Sequence, residues 1–157
     1  MTDHLPYRPC VGVMMINAAG KVWVGERFDT PDAWQMPQGG IDKGEDPTTA
    51  AFRELEEEIG VKQADVTLLD QTHDWLYYDL PKHLVTEGKV WGGRYRGQKQ
   101  LWYLVRLNAE DHVIELGGEH EEFSRWQWVE PSHMINLIVP FKRDIYIALL
   151  EAFKDHF

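Results

Sequence analysis

The sequence has a single cysteine, Cys10, so no disulfide can form within one chain. It has no apolar stretch near the roughly 18 residues of a membrane span, and Met1–His4 lacks the basic start of a signal peptide. Repeats, low-complexity tracts and linker-like composition breaks are also missing. These absences predict one domain over residues 1–157, without a membrane partner or an obligate protein partner, in the reducing cytoplasm.

Basic residues are few, with 16 Lys and Arg against 26 Asp and Glu and a net charge of −10. Such a balance argues against a broad basic surface for DNA or long RNA. A nucleotide or an RNA end would have to be recognised locally, where a divalent cation and a few basic residues offset the repulsion. Apolar residues make up 43% of the chain, which is enough for a core and too many for a disordered protein.

Strand and helix patterns alternate irregularly along the chain. Two strands are predicted within Arg8–Phe28, with a turn at Asn17–Gly20, followed by a short extended piece at Trp34–Pro37. One long or bent strand is predicted at Thr67–Leu80, and further strands at Gln100–Leu107 and Phe123–Val129. Val85–Gly97 is predicted to be a loop, and Phe141–Phe157 an amphipathic helix with Ile145, Leu149, Ala152 and Phe153 on its buried face. This order predicts an α+β fold, an α/β/α sandwich with a mixed sheet between helices.

The clearest predicted helix follows a glycine-containing loop, Gln38–Glu45. Asp46 can cap its first turn, and Pro47 suits the first helical position. Gly60 stands where a C-terminal cap is expected. One arc of the helix can face the core through Ala51, Phe52, Leu55 and Ile59.

Three carboxylates share another face of this helix. Glu54, Glu57 and Glu58 are spaced by three and four positions, and at about 100° per residue they form one stripe. Like charges at this spacing repel by roughly 0.2–0.5 kcal/mol per pair, and a hard cation such as Mg²⁺ would turn that repulsion into binding. Arg53, four residues before Glu57, is placed to hold that carboxylate. The alternative is a solvated acidic face with one ordinary Arg–Glu pair.

A longer pattern surrounds the helix between Gly39 and Val61, with the spacing G-x5-E-x7-R-E-U-x-E-E-x-G-U, where U is aliphatic. Its fixed positions are Gly39, Glu45, Arg53, Glu54, Leu55, Glu57, Glu58, Gly60 and Val61. Nine matches within 23 residues form a specific signal. The pattern resembles the signature box of the Nudix hydrolases.

The resemblance implies a loop–helix–loop metal site and hydrolysis of a phosphoanhydride bond. The resemblance also implies that Mg²⁺ is bound by the carboxylates of Glu54, Glu57 and Glu58 and by the carbonyl oxygen of Gly39. Mn²⁺ or another divalent metal could take its place. Glu45 would brace the loop through Arg53. In such a site the metal offsets phosphate charge while a carboxylate accepts a proton from water. Family members differ in which glutamate does which task, so those roles stay open.

Short segments outside the box narrow the resemblance to one branch of the family. They are Tyr7–Pro9, Trp34–Gly40, Leu80–Lys82, Gly97–Gln100 and Phe141–Asp144. They resemble the bacterial RNA pyrophosphohydrolases and the similar asymmetric diadenosine tetraphosphate hydrolases. The resemblance implies that the substrate is a nucleotide polyphosphate or a 5′-triphosphate RNA end.

The basic and aromatic residues in or near these segments are candidates for substrate binding. Arg8, Lys99 and Lys142 are candidate phosphate contacts, because cations complement anionic oxygens. Tyr78 and Phe141 are candidates to stack a base. The alternative for the basic residues is a solvated surface charge. The alternative for the aromatic residues is packing in the core.

One acidic residue outside the box is a further candidate. Glu122 resembles the distant acidic residue that this branch brings to the metal, as a fourth ligand or as the base that activates water. The alternative is one member of a solvated acidic run with Glu119 and Glu121. His120 has no partner at metal-ligand spacing and stays unassigned. The loop Val85–Arg96 departs most from the branch, which leaves the substrate preference open.

Three functions compete on this basis. The favoured one is removal of pyrophosphate from 5′-triphosphorylated RNA ends. The second is asymmetric hydrolysis of diadenosine tetraphosphate and related dinucleoside polyphosphates, which would use the same site. The third is a nucleotide-binding module without catalysis, against which the intact box argues.

Overall fold

The computed structural model describes residues 3–117 and 122–157. Its strands are β1 Tyr7–Ile16, β2 Val22–Arg27, β3 Trp34–Gln35, β4 Gln38–Gly40, β5 Val66–Gln71, β6 Leu76–Asp79, β7 Gly97–Leu107 and β8 Phe123–Val129. Its α-helices are α1 Pro47–Ile59, α2 Lys82–Thr86, α3 Met134–Leu137 and α4 Arg143–Ala152. Among the residues described, the helices are too short or too polar to cross a bilayer.

The strands form one mixed sheet. Its main path runs β3-β2-β1-β7-β5, while β4 pairs with β1, β6 with β7 and β8 with β2. The pairing of β1 with β7 is parallel, and the other pairings are antiparallel. The mixed sheet expected from the sequence is therefore confirmed.

Apolar side chains on β1 alternate between two cores, one on each face of the sheet. Val11, Val13 and Met15 pack in the core that includes buried residues of α1. Met14 and Ile16 pack in the core that includes buried residues of α3 and α4. Because successive strand residues point to opposite faces, helices cover both sides of the sheet. This is the predicted α/β/α sandwich.

Helix α1 begins and ends where its capping residues predict. The Asp46 carboxylate accepts a hydrogen bond from the Thr49 backbone N–H at 3.2 Å, and Pro47 occupies the first turn. Gly60 adopts a left-handed φ of 73°, which glycine reaches at little cost. The helix buries Ala50, Ala51, Leu55 and Ile59 against the sheet. An N-cap of this kind contributes about 1 kcal/mol to helix stability.

The segment Thr67–Leu80, predicted as one long or bent strand, is interrupted and forms two strands, β5 and β6. Both pair with β7, and a register shift within β5, between Leu68 and Asp70, precedes the interruption. At Thr72 a side chain replaces a backbone partner, because the Thr72 hydroxyl accepts a hydrogen bond from the Trp102 backbone N–H at 2.9 Å. The chain therefore leaves the regular pairing at residues 72–75 and then continues along β7 in the same antiparallel direction.

Two other expectations need correction. The predicted helix Phe141–Phe157 is shorter, with α4 flanked by 3₁₀ turns at Pro140–Lys142 and Lys154–His156. Ala152 is exposed, and Tyr146 takes the buried position beside Ile145, Leu149 and Phe153. The predicted loop Val85–Gly97 contains the end of α2 and a 3₁₀ turn at Trp91–Gly93.

Candidate functional site

A cleft of about 690 Å³ joins residues that are far apart in the chain. Its acidic lining is Glu54, Glu57 and Glu58 of α1 with Glu122, which precedes β8. Its basic and aromatic lining is Arg8, Arg27, Lys142, Tyr78, Trp91 and Phe141. Carboxylates, cations and aromatic rings suit a metal, phosphates and a base respectively.

The carboxylate stripe of α1 faces this cleft, as its spacing predicts. Glu54, Glu57 and Glu58 line the cleft, whereas Glu56 is exposed elsewhere on the helix. Glu58 is buried, and one of its oxygens accepts from the Gln38 backbone N–H at 3.3 Å. Strand β4 approaches so closely that a Cβ on Gly39 would overlap the carboxyl group of Glu54. Only glycine fits at this position without moving that carboxylate.

Arg53 ties the loop before α1 to the carboxylate stripe. Its Nε and Nη2 donate to the two oxygens of Glu45 at 2.8 and 2.9 Å, and Nη2 also donates to the Gly40 carbonyl at 2.9 Å. Its Nη1 donates to Glu54 at 2.9 Å and to Glu57 at 3.2 Å. The brace between Glu45 and Arg53 that the resemblance implies is therefore present as a contact.

The environments of these carboxyl groups move their pKa values in opposite directions. The hydrogen bonds from Arg53 lower the pKa of Glu45 to about 2. Burial raises the pKa of Glu54, although Arg53 opposes that shift. Burial also raises the pKa of Glu58 well above 4.5, and the charges of Glu54 and Glu122 add to the effect. The site thus contains mutually repelling carboxylates around a buried one.

The chemistry of these donors fits a hard divalent cation. All the candidate ligands offer oxygen, and Glu58 is buried beside like charges that a cation would offset. Within the described ranges, no three acidic, histidine or cysteine side chains already surround one common point. Glu54 and Glu57 each have an oxygen hydrogen-bonded to Arg53. The second oxygen of each carboxylate lies outside these contacts, so a cation could be bound while Arg53 keeps its hydrogen bonds.

Glu122 reaches the cleft through strand pairing. Strand β8 runs antiparallel to β2, and Phe123 lies opposite Arg27. The Glu122 carbonyl accepts a hydrogen bond from the Phe28 N–H at 2.8 Å, which ties this residue to the end of β2. The charge of Glu122 acts on Glu58. His120 and the other residues of the acidic run lie outside the described residues.

Two of the three predicted phosphate contacts lie in the cleft. Arg8 stands over the ring of Trp91, with its Cζ 5.3 Å from the centroid, and no described carboxylate forms an ion pair with it. Lys142 is 5% exposed, and its Nζ lies 3.4 Å from Oε1 of Gln35. Burial lowers the pKa of Lys142 to about 8. Both cations are placed to meet an anion that enters the cleft.

Lys99, the third predicted phosphate contact, is not brought to the cleft. Its neighbour Gln98 lines the cleft, and adjacent strand residues point to opposite faces of β7. The ammonium of Lys99 instead lies 4.6 Å from the ring centroid of Trp75. The proposed phosphate contact of Lys99 therefore has no support from this arrangement.

The two predicted base-stacking residues are neighbours in the cleft. The ring centroids of Tyr78 and Phe141 are 5.7 Å apart, with an angle of 42° between their planes. Tyr78 is 7% exposed and Phe141 is 36% exposed. Tyr78 thus packs largely in the core, while Phe141 offers a ring surface to the solvent.

Several lining residues were missed in the sequence. Arg27 ends β2, and Trp91 belongs to the segment whose role was left open. Gln35, Gln38 and Gln98 also line the cleft. The glutamines fall inside the short segments that resemble the branch, so those segments carried a signal. Arg27 carried none, because a basic residue at a strand end is common.

Comparison with known proteins shows which family the chain resembles over most of its length. The model of the NUDIX domain matches residues 6–149. An RNA pyrophosphohydrolase of Roseobacter denitrificans is 54% identical over 154 residues, covering 98% of this chain and 95% of that protein. An RNA pyrophosphohydrolase of Rhodospirillum rubrum is 55% identical over 142 residues, covering 90% of this chain and 84% of that protein.

Solved structures support the fold. A C. elegans Ap4A hydrolase in a binary complex superposes with a TM-score of 0.68 at 23% identity, covering 94% of this chain and 99% of that one. The E. coli dihydroneopterin triphosphate pyrophosphohydrolase superposes with a TM-score of 0.69 at 22% identity, covering 92% and 96%. At such low identity the likeness concerns the fold alone.

Proposed function

Because this chain belongs to the Nudix family of hydrolases, we propose that it removes pyrophosphate from 5′-triphosphorylated RNA and leaves a 5′-monophosphate end. The observation that carries the proposal is the cleft itself, where the α1 carboxylates share one space with Arg8 and Lys142. The names of relatives near 50% identity over almost the whole chain support the same substrate. Such a substrate would place the enzyme in the cytoplasm, and the NUDIX model over residues 6–149 supports one domain over residues 1–157.

Each group of side chains has a task in this proposal. Glu54, Glu57 and Glu58, with the carbonyl of Gly39, would hold Mg²⁺ or a similar cation. When bound, that cation would offset phosphate charge and lower the pKa of a water. Glu122, from outside the box, would complete the ligands or accept the proton from the attacking water.

The rest of the cleft would bind the RNA end. Arg8 and Lys142 would attract the terminal phosphates, since both are cations without a carboxylate partner among the described side chains. Phe141, beside Tyr78, would stack a base on its exposed ring surface. Arg53 would act through its neighbours, by holding Glu45, Glu54 and Glu57 in their places.

The test is direct. Purified protein is incubated with Mg²⁺ and 5′-triphosphorylated RNA, and both the released pyrophosphate and the 5′-monophosphate end are measured. A triphosphate end that persists at enzyme excess would reject the proposal. Catalytic efficiency on diadenosine tetraphosphate is measured in parallel, because that substrate would use the same site. A strong preference for the dinucleotide would favour the second function.

A further inference from the structure

A chain of buried hydrogen bonds leads from the core to the wall of the cleft. The Trp102 indole Nε1 donates to Oε1 of Gln100 at 2.8 Å. Nε2 of Gln100 then donates to Oε1 of Gln98 at 2.6 Å and to Oε1 of Gln38 at 3.3 Å. Trp102 and Gln100 are almost completely buried, whereas Gln98 and Gln38 line the cleft.

The direction of this chain follows from its buried end. An indole N–H can only donate, so the atom of Gln100 that faces Trp102 must be the carbonyl oxygen. The amide nitrogen of Gln100 therefore faces the other way, and its two hydrogens require oxygens of Gln98 and Gln38 as acceptors. Reversing Gln100 would bring two donors together and would leave the buried indole N–H unpaired, which is costly.

The consequence appears at the wall of the cleft. Because Gln100 donates to the oxygens of Gln98 and Gln38, each of these oxygens is held towards Gln100. The NH₂ group is on the other side of each amide and remains free of this contact. Neither nitrogen is among the fully buried, unpaired polar atoms of the described residues. Both side chains line the cleft, where these NH₂ groups have hydrogens to donate.

Gln35 obeys the same rule through a different partner. Its Oε1 lies 3.4 Å from Nζ of Lys142, and an ammonium can only donate. The NH₂ group of Gln35 therefore does not bond to Lys142 and remains available as a donor. Three amides that line one cleft are each oriented by a neighbouring nitrogen atom that donates and cannot accept.

We infer that the buried Trp102–Gln100 pair is a positioning device that holds the oxygens of Gln98 and Gln38 and leaves their NH₂ groups to donate to the cleft, creating a subsite for the anionic oxygens of a phosphate chain. This inference deepens the proposed function and rests on it for the identity of the substrate. A wall of donors favours phosphate oxygens, which only accept, over groups that donate. Trp102 and Gln100 act through Gln98 and Gln38 and do not themselves touch the substrate.

Two substitutions remove the control of amide direction. Gln100→Met keeps the length of the side chain and removes the relay, and Trp102→Phe keeps an aromatic ring without the N–H donor. Each lets Gln98 and Gln38 turn an oxygen towards the cleft. We expect KM for 5′-triphosphorylated RNA to rise about tenfold, the factor expected for loss of one good hydrogen bond, with a much smaller change in kcat. Gln127→Met on β8, which does not line the cleft, is the matched control.

The decisive readout is the side-chain amide signal of each glutamine in ¹⁵N NMR. Titration with inorganic pyrophosphate and Mg²⁺ should shift the Gln98 and Gln38 signals in the unmodified protein and in Gln127→Met. In Gln100→Met these shifts should shrink and pyrophosphate should bind more weakly. Amide signals of the unmodified protein that do not move with pyrophosphate would overturn the inference, and that measurement needs no variant to fold.

The variants provide a second refutation. Unchanged pyrophosphate affinity in Gln100→Met, with a melting curve that shows a folded protein, would overturn the inference. Failure of the proposed function looks different: the protein would leave triphosphorylated RNA intact while pyrophosphate still shifted the Gln98 and Gln38 amides. That result would reject the RNA substrate and retain the donor subsite.

Discussion

Arg53 and Glu45 are joined by two parallel hydrogen bonds, from Nε to Oε2 at 2.8 Å and from Nη2 to Oε1 at 2.9 Å. This pair connects the loop before α1 to the helix that carries the acidic stripe. Because the same guanidinium also contacts Glu54 and Glu57, a change at Glu45 should affect the carboxylates that we propose as metal ligands. The role of the pair is therefore testable through a residue that does not line the cleft.

Glu45→Gln should lower both stability and turnover. The substitution removes the charge from a bidentate pair, and we expect a loss of about 1–3 kcal/mol in the free energy of unfolding. Glu56→Gln is the matched control, since Glu56 is exposed on the same helix. Chemical denaturation of both variants at neutral pH measures the difference. Equal unfolding free energies would contradict a bracing role.

The same pair predicts a pH dependence of stability. Arg53 lowers the pKa of Glu45 from 4.5 to about 2 in the folded state. A carboxyl group whose pKa is depressed on folding stabilises the fold above its unfolded pKa, and this stability is lost as pH falls towards the folded pKa. The unmodified protein should therefore lose more stability than Glu45→Gln between about pH 4.5 and 2, as followed by thermal melting.

Glu57→Gln and Glu58→Gln should separate catalysis from folding. Each keeps the shape of the side chain and removes one charge, so hydrolysis of triphosphorylated RNA should drop by orders of magnitude, along with affinity for Mg²⁺ measured by calorimetry. In metal-free buffer Glu58→Gln should be at least as stable as the parent, because it removes a buried charge beside like charges. Unchanged turnover in both variants would remove these residues from the metal site.

Lys142 should give the enzyme an alkaline limit. Its pKa is lowered from 10.5 to about 8, mainly by burial. We expect kcat/KM for triphosphorylated RNA to fall as pH rises through about 8, because the neutral amine attracts phosphate oxygens less. Lys142→Arg keeps the charge and should shift the fall in kcat/KM to higher pH. Lys142→Met lacks the charge and should have a low kcat/KM at every pH.

The free energy of unfolding should increase over the alkaline pH range in which kcat/KM falls. The unfolded chain retains the proton up to about pH 10.5, whereas the folded protein releases it near pH 8. The contribution of Lys142 to the unfolding free energy therefore increases as pH rises from about 8 to 10.5. Melting curves of the parent and Lys142→Met across this range measure the effect. Identical pH profiles of the two proteins would exclude it.

Trp91 should matter through its contact with Arg8. The guanidinium carbon of Arg8 is 5.3 Å from the Trp91 ring centroid, and a cation–π contact is worth about 0.5–2 kcal/mol. Trp91→Ala should lower kcat/KM by about 2–30-fold, mostly through KM. Trp75→Ala is a matched control, since Trp75 lies beneath Lys99 away from the cleft. Equal kinetics of the two variants would count against a role for Trp91 in holding Arg8.

The local geometry of α1 follows from its own residues. The spacing of Glu54, Glu57 and Glu58 sets their common face wherever the helix lies, because helical rotation depends only on neighbouring residues. Asp46 and Gly60 set the two ends for the same reason. The fixed pattern from Gly39 to Val61 also indicated the family before any tertiary contact was known.

The residues that surround this helix depend on how the strands of the sheet pair. Lys99 and Gln98 are neighbours in the chain, but the pairing of β7 with β1 and β6 brings Gln98 to the cleft and turns Lys99 to the other face. A shift of one residue would reverse this choice, and a sequence pattern does not specify it here. The direction of the glutamine amides likewise depends on the buried Trp102, a partner that only the packed sheet brings into contact with Gln100.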